Sequence, residues 1–145
     1  MGKETAMARQ DMTAVFSKML DAMNRHDLDA CVACYSDDAE LQDARFPEPA
    51  RGKDTVREGF SYWFGAFPDV EVSVKNLFID PPQLAVEWVF EATHKGEYLG
   101  VAPSNKRVRV LTAAHFKIKD GLVTRDFSLF DATGLRQLEA LTAKS

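Results

Sequence analysis

Long hydrophobic runs are missing from this 145-residue sequence. No stretch approaches the roughly 20 apolar residues that cross a bilayer, so no membrane partner is expected. An excess of positive charge is missing too: 18 Lys and Arg stand against 22 Asp and Glu, a formal net charge of -4. Outside the local cluster of Lys106, Arg107 and Arg109 nothing supplies the basic field that attracts a phosphate backbone, and nucleic acid is not an expected partner. The opening Met-Gly-Lys-Glu-Thr-Ala-Met has no continuous apolar core of the kind a secretory signal carries. Ala6 stands where a myristoylation start has Ser or Thr, and a cytoplasmic location is the expectation.

Cysteine is scarce. Cys31 and Cys34 form a Cys-x-x-Cys that would read as a redox pair if it opened a helix after a strand. It lies instead among Ala30, Val32 and Ala33, where small buried residues on a helix account for it. Two cysteines without histidine partners do not complete a four-ligand zinc site, so neither a metal nor another cofactor is expected. Internal repeats, low-complexity tracts and linkers are absent as well. With 46% hydrophobic residues, a chain of this length buries about 70% of its unfolded surface without staples. One domain over residues 1–145 follows.

What is present is ordered patterning. From about Thr5 to Asn24, Met12, Val15, Phe16, Met19, Leu20 and Met23 recur at three- and four-residue spacing, the mark of an amphipathic helix. Asn24-Arg25-His26 interrupts it, with His26 as an exposed linker residue, and Asp27 caps a short second helix to about Tyr35. Ser36-Asp37-Asp38 reads as a polar turn, Ala39 to Asp43 as a short strand, and Phe46 to Ala50 as an irregular proline loop. Asp54 is the expected cap of a third helix with an aromatic face of Phe60, Trp63, Phe64 and Phe67. Strands follow at Val70–Ile79 and Leu84–His94 around Pro81-Pro82, and a Gly/Pro-punctuated loop leads to a hairpin between Arg107 and Asp131. A short helix is expected from Leu135 to Ala143. The order implies an α+β fold with helices on one face of a curved antiparallel sheet.

The hairpin admits two registers. A two-residue type I′ turn at Asp120-Gly121 pairs Lys119 with Leu122 and sets His115 opposite Asp126, a His/Asp dyad. A three-residue loop with a bulge at Gly121 pairs Ile118 with Leu122 and sets Ala114 opposite Asp126, turning His115 away. Parity favours the second. Val108, Val110, Thr112, Ala114, Phe116 and Ile118 are apolar or small, whereas odd positions carry Arg107, Arg109, His115, Lys117 and Lys119.

Met12-Thr13-Ala14-Val15, Asp27-Leu28-Asp29, Ser36 through Asp43, Arg51-Gly52 and Val56 through Phe60 together resemble ketosteroid isomerase. Phe67-Pro68-Asp69, Thr93-His94-Lys95-Gly96, Pro103-Ser104-Asn105-Lys106 and Asp120-Gly121 resemble SnoaL-like polyketide cyclases. Both groups belong to the nuclear-transport-factor-2-like superfamily. The resemblance implies a cone in which a curved sheet wraps against three N-terminal helices, encloses an apolar pocket, and often dimerises. Within it the isomerase's proton-abstracting aspartate falls on Asp43. Its two enolate-stabilising acids fall on Met19 and Ala114, and the cyclases' His and Asp fall on Ala114 and Ser128, so neither pair is retained.

The chemistry expected is acid/base transfer. A carboxylate inside an apolar cone has its charged form penalised and can work near neutral pH. Asp43 and Asp126 are the candidates, with His94 at the pocket rim as a third. Thr112, Ser128 and His94 are the available donors to an oxyanion. Phe16, Met19, Phe60, Trp63, Trp88, Phe90, Ala114, Phe116 and Phe130 are the expected walls, and their bulk suits a small, flat hydrophobic molecule. The leading expectation is a cofactor-free cyclase- or isomerase-type enzyme on a carbonyl substrate. The alternative is a non-catalytic ligand-binding or association module. Epoxide hydrolysis needs an inward Arg flanked by acids, and none stands out.

Overall fold

Three helices lie against a six-stranded sheet in the computed structural model, which describes residues 2–43 and 48–130. In chain order the elements are α1 (Gly2–Asn24), α2 (Leu28–Ala33), β1 (Tyr35–Gln42), β2 (Ala50–Arg51), α3 (Lys53–Ala66), β3 (Glu71–Asp80), β4 (Gln83–Thr93), β5 (Arg107–Lys119) and β6 (Leu122–Phe130). The helix expected at Leu135–Ala143 lies outside the described residues. The sheet order is β2-β1-β6-β5-β4-β3, curved and unclosed, with β1 parallel to β6 and all other neighbours antiparallel.

The α1 stripe works as its spacing predicts. Met12, Phe16, Met19 and Met23 are buried, and the helix end is tied to the sheet. Asn24 Nδ2 donates to the Val72 carbonyl at 3.1 Å, and the Val72 N–H donates to Asn24 Oδ1 at 2.7 Å. Since β3 is an edge strand, these bonds occupy backbone groups that would otherwise stand unpaired. His26 is exposed as expected but anchored, its Nε2 lying 2.7 Å from the Val70 carbonyl.

Several expected boundaries move. Asp27 does cap α2, accepting from the Ala30 N–H at 3.0 Å, but the helix stops at Ala33. Tyr35 therefore opens β1, and Ser36-Asp37-Asp38 runs through the strand instead of turning. The proline loop contributes the two-residue strand β2. Gly52, at φ 102°, takes the cap position of α3, and Asp54 sits in the first turn, where its charge suits the helix dipole.

The hairpin keeps the face predicted by parity but reaches it by a different route. Its turn has two residues, with Asp120 at φ 53° and Gly121 at φ 78°, and Lys119 pairs with Leu122. A bulge follows: Ile118 pairs with Val123, Lys117 with Arg125, and Thr124 is left over. That extra residue restores the even register, so Phe116 faces Asp126, Ala114 faces Ser128, and His115 faces Phe127. The three-residue loop is thus corrected, and so is the His115/Asp126 dyad. His115 lies on the outer face, 2.6 Å from Gln83 Oε1.

The loop after β4 packs onto the end of α3 through two N–H groups, Lys95 and Gly96, both donating to the Ala66 carbonyl. A Cβ at Gly96 meets the Gly65 carbonyl oxygen at 2.9 Å and Ala66 Cα at 3.0 Å, both backbone atoms that do not swing aside. Gly96→Ala is expected to cost about 1–3 kcal/mol in urea denaturation, as overpacking does. Gly65→Ala, with nothing within 4 Å of its new methyl, serves as the control and is expected not to destabilise.

Candidate functional site

The concave side of the sheet and the helices enclose a cavity of about 100 Å³, several times the roughly 10–15 Å³ that one water needs. Its walls are mostly apolar: Met19, Met23, Phe60, Trp63, Trp88, Phe90, Tyr98, Phe116 and Phe130 among them. The aromatic residues brace one another, Trp63 meeting Phe90 at 5.5 Å and Phe60 at 6.4 Å between ring centroids. Polar side chains enter from one side, chiefly Tyr35, Gln42 and Asp43 from β1 and its end, and Asp126 and Ser128 from β6.

Asp126 is the centre of this polar wall. Tyr35 Oη donates to its Oδ2 at 2.6 Å, and Ser128 Oγ donates to its Oδ1 at 2.5 Å. Burial pushes the Asp126 carboxyl above the ordinary carboxylate range against these two hydrogen bonds, and the charge of Asp43 adds to the rise. Burial likewise holds the Tyr35 phenol well above its usual value, with the Asp126 charge adding to it. The neighbouring Arg125 does not neutralise Asp126. It points outward, 3.4 Å from Glu40 Oε2 and 3.5 Å from His115 Nδ1, with its guanidinium 5.6 Å from the Phe127 ring centroid.

Asp43 follows Gln42, which pairs with Phe127, so it stands level with Ser128 across the parallel β1/β6 pair. Both carboxylates line the cavity. Thr112 also lines it, but its hydroxyl donates to the Trp88 carbonyl at 3.3 Å and is committed to the sheet. Tyr98 closes one end, stacked on Tyr62 at 5.1 Å. Its loop is held by Tyr62 Oη, which donates to Glu97 Oε2 at 2.7 Å and accepts from the Leu99 N–H at 2.8 Å.

Three expected site residues lie elsewhere. His94 is fully buried beside Phe67, ring centroids 5.4 Å apart, and away from the rim, because its N–H and carbonyl pair with the backbone of Lys106 and Asn105 and draw it into the core. Phe16 packs on the Trp88 ring at 5.6 Å as core without reaching the cavity. Ala114 is buried on the inner face but does not line the cavity. Tyr35 is the residue missed. Reading it as the end of a helix hid its place in β1, where it pairs with Val123 of β6 and turns into the cavity.

Cys31 and Cys34 are both buried and free, and burial raises both thiols, Cys31 to about 12, which makes them poor nucleophiles. Among the described residues, no group of three or more His, Cys, Asp or Glu is placed to hold a metal ion. No described helix is long and apolar enough to cross a membrane.

The same α+β cone fold is what comparison with known proteins returns. AclR of Streptomyces galilaeus, a candidate hydroxylase, superposes with a TM-score of 0.78 at 24% identity, over 94% of this chain and 86% of that one. A candidate SnoaL-like polyketide cyclase of Jannaschia sp. CCS1 gives 0.80 at 19% identity, over 90% and 92%. IdmH of Streptomyces antibioticus, a candidate polyketide cyclase, gives 0.74 at 18%, over 88% and 97%. These likenesses establish the fold, and the SnoaL-like polyketide cyclase family model matches residues 13–138, most of the chain. With the match running from within α1 past the Asp126 wall, the protein belongs to the SnoaL-like polyketide cyclase family.

Proposed function

We propose that this protein is a cofactor-free small-molecule enzyme of the cyclase/isomerase type, working as one domain in the cytoplasm, that moves a proton on a flat, hydrophobic carbonyl compound. The observation that carries this reading is the pair of cavity carboxylates. Asp43 and Asp126 line one apolar cavity, and the second is pushed towards its neutral form by burial. A carboxyl raised by burial, beside a second carboxylate in the same apolar cavity, is an arrangement that acid/base catalysis can use. Family membership and the cyclase and hydroxylase neighbours support the same class.

The test is exchange of acidic C–H hydrogen for deuterium, followed by NMR with flat ketones led by 2-tetralone in D2O. Exchange requires proton abstraction alone, whatever the natural product of the reaction. Wild-type protein is expected to exceed the buffer rate. A rate equal to buffer across the panel would contradict the proposal.

One observation favours a second reading, a non-catalytic binding module: the side chain at the isomerase-like tyrosine position is Met19, which lines the cavity with a thioether and no acid. Such a module would be stabilised by these ketones without exchanging them.

We also propose a homodimer formed through the outer face of the sheet. Phe78, Leu111 and Leu129 stand more than half exposed there, apolar side chains that a second copy would cover. Replacing Leu111 and Leu129 by Glu is expected to halve the mass measured by light scattering. An unchanged mass places any association elsewhere.

A further inference from the structure

The polar wall of the cavity has two hydrogen-bonding states. With Asp126 ionised, the Tyr35 and Ser128 hydroxyl hydrogens both point at its oxygens, across 2.6 and 2.5 Å, and neither is available to a ligand. With Asp126 protonated, the carboxyl is itself a donor. Its O–H then occupies one of the two short contacts, the hydroxyl oxygen there becomes an acceptor, and that hydroxyl's hydrogen must seek another oxygen. At Oδ2 the hydroxyl is that of Tyr35, a cavity-lining residue whose ring is fixed edge-on against Phe60 at 5.9 Å. The oxygen stays in place while its hydrogen turns.

We propose that Tyr35 Oη is the donor that binds a ligand oxyanion in this cavity, and that neutral Asp126 holds it in the donating orientation. The inference rests on the carboxylate reading above and deepens it by dividing the work. The Asp43 carboxylate takes a proton from the carbon beside a ketone. The C–H electron pair becomes a C=C bond, and the carbonyl π pair moves onto oxygen. That enolate oxygen accepts from Tyr35 Oη, which accepts in turn from Asp126. Asp43 returns the proton to the same carbon or, where a C=C adjoins that carbon, to the far end of the extended enolate, so no oxidant or co-reactant enters. The substrate class that fits is a ketone with an acidic neighbouring C–H on a flat apolar body, held between Trp63, Trp88 and Phe90.

The charges around the switch are few. On β6, Arg125 favours the ionised acid from outside, and at the end of β1, Asp43 opposes ionisation. Behind Tyr35, α2 and the residue after it bring Cys31 and Cys34, neither of them ready to ionise. The cavity residues of β5, Thr112, Ala113 and Phe116, and of α3, including Phe60, carry no charge. Burial, ahead of the Asp43 charge, favours the neutral acid.

The probe is 2-naphthol, a flat phenol whose anion carries an enolate-like oxygen and absorbs differently from the neutral form. Naphthalene, with the same body and no oxygen, is the control. A hydrogen bond to a charged group is worth about 1.5–3 kcal/mol, roughly tenfold to a hundredfold in affinity. Tyr35→Phe is expected to weaken 2-naphthol by that factor and to lower the ionised fraction of the bound dye, while naphthalene affinity stays the same. Ser128→Ala, which removes the donor on the other carboxyl oxygen, is expected to weaken 2-naphthol by less than Tyr35→Phe. Unchanged 2-naphthol affinity and ionisation in Tyr35→Phe overturn the proposal, and so does an equal loss for naphthalene, which marks Tyr35 as a packing residue. None of these readouts requires turnover, so a failure of the catalytic reading in the exchange assay is separable from a failure here.

Discussion

Asp43→Asn is expected to lower ketone hydrogen exchange by about 10²–10⁴-fold, the usual contribution of a positioned general base. The amide keeps the size and hydrogen-bonding shape of the side chain at the end of β1 but has no basic lone pair at neutral pH. Asp43 is only partly buried, so the substitution leaves the core intact and the folded fraction is expected to be unchanged by circular dichroism. Asp126→Asn behaves differently, because its amide donates as the neutral acid does. It is expected to retain more exchange than Asp43→Asn, and the reverse order would make Asp126 the base. Stability versus pH separates the two roles again. A carboxyl raised in the folded state binds its proton more tightly folded than unfolded. Its stabilising contribution is full below the unfolded value of about 3.9 and is lost as pH rises through the raised folded value. Wild type should therefore lose stability relative to Asp126→Asn across that window, a trend readable in denaturation midpoints at successive pH values.

The largest loss of stability is expected at Phe67→Ala. Phe67 is completely buried where the end of α3 meets the sheet, with its ring 5.0 Å from Phe90, 5.0 Å from Tyr98 and 5.4 Å from His94. Its backbone N–H donates to the Trp63 carbonyl at the helix end, and its carbonyl accepts from Val70 at the entry to β3. Truncation removes the ring from three aromatic neighbours that the backbone holds apart, so the site cannot collapse. A loss of about 3–5 kcal/mol follows, a large part of the 5–15 kcal/mol that holds a domain of this size. It is measured as a fall in the urea midpoint at constant m-value. A loss below about 1 kcal/mol would mean that the junction repacks.

The long periodic elements were legible in the sequence because their cause is local. The Met12, Phe16, Met19, Met23 stripe and the alternation of β5 each carry a face with little help from the rest of the chain. The errors fall where distant contacts decide. Tyr35 follows a helix whose pattern runs straight into it, and only pairing with Val123 on β6, 88 residues on, makes it a strand residue. His94 carries no local sign of burial, since it is the pairing with Lys106 and Asn105 that draws it in. The hairpin shows both cases at once. Parity along β5 gave the inner face, while the turn and the bulge at Thr124 depend on φ values that Asp-Gly permits without dictating. At the site, Asp43 and Asp126 were legible as cavity carboxylates, but Tyr35, the partner of Asp126, was not. Its place beside Asp126 is set by how β1 meets β6.

The central claim is that Asp126 is a carboxyl held towards its neutral form inside the cavity, beside a second carboxylate. The most direct measurement is its titration, followed by the carboxyl resonance of carbon-13-labelled aspartate and assigned by its absence in Asp126→Asn. A resonance that titrates clearly above the ordinary aspartate range, and moves lower in Asp43→Asn when the neighbouring charge is removed, is the predicted result. A resonance that titrates at or below that range, indifferent to Asp43, would contradict the account.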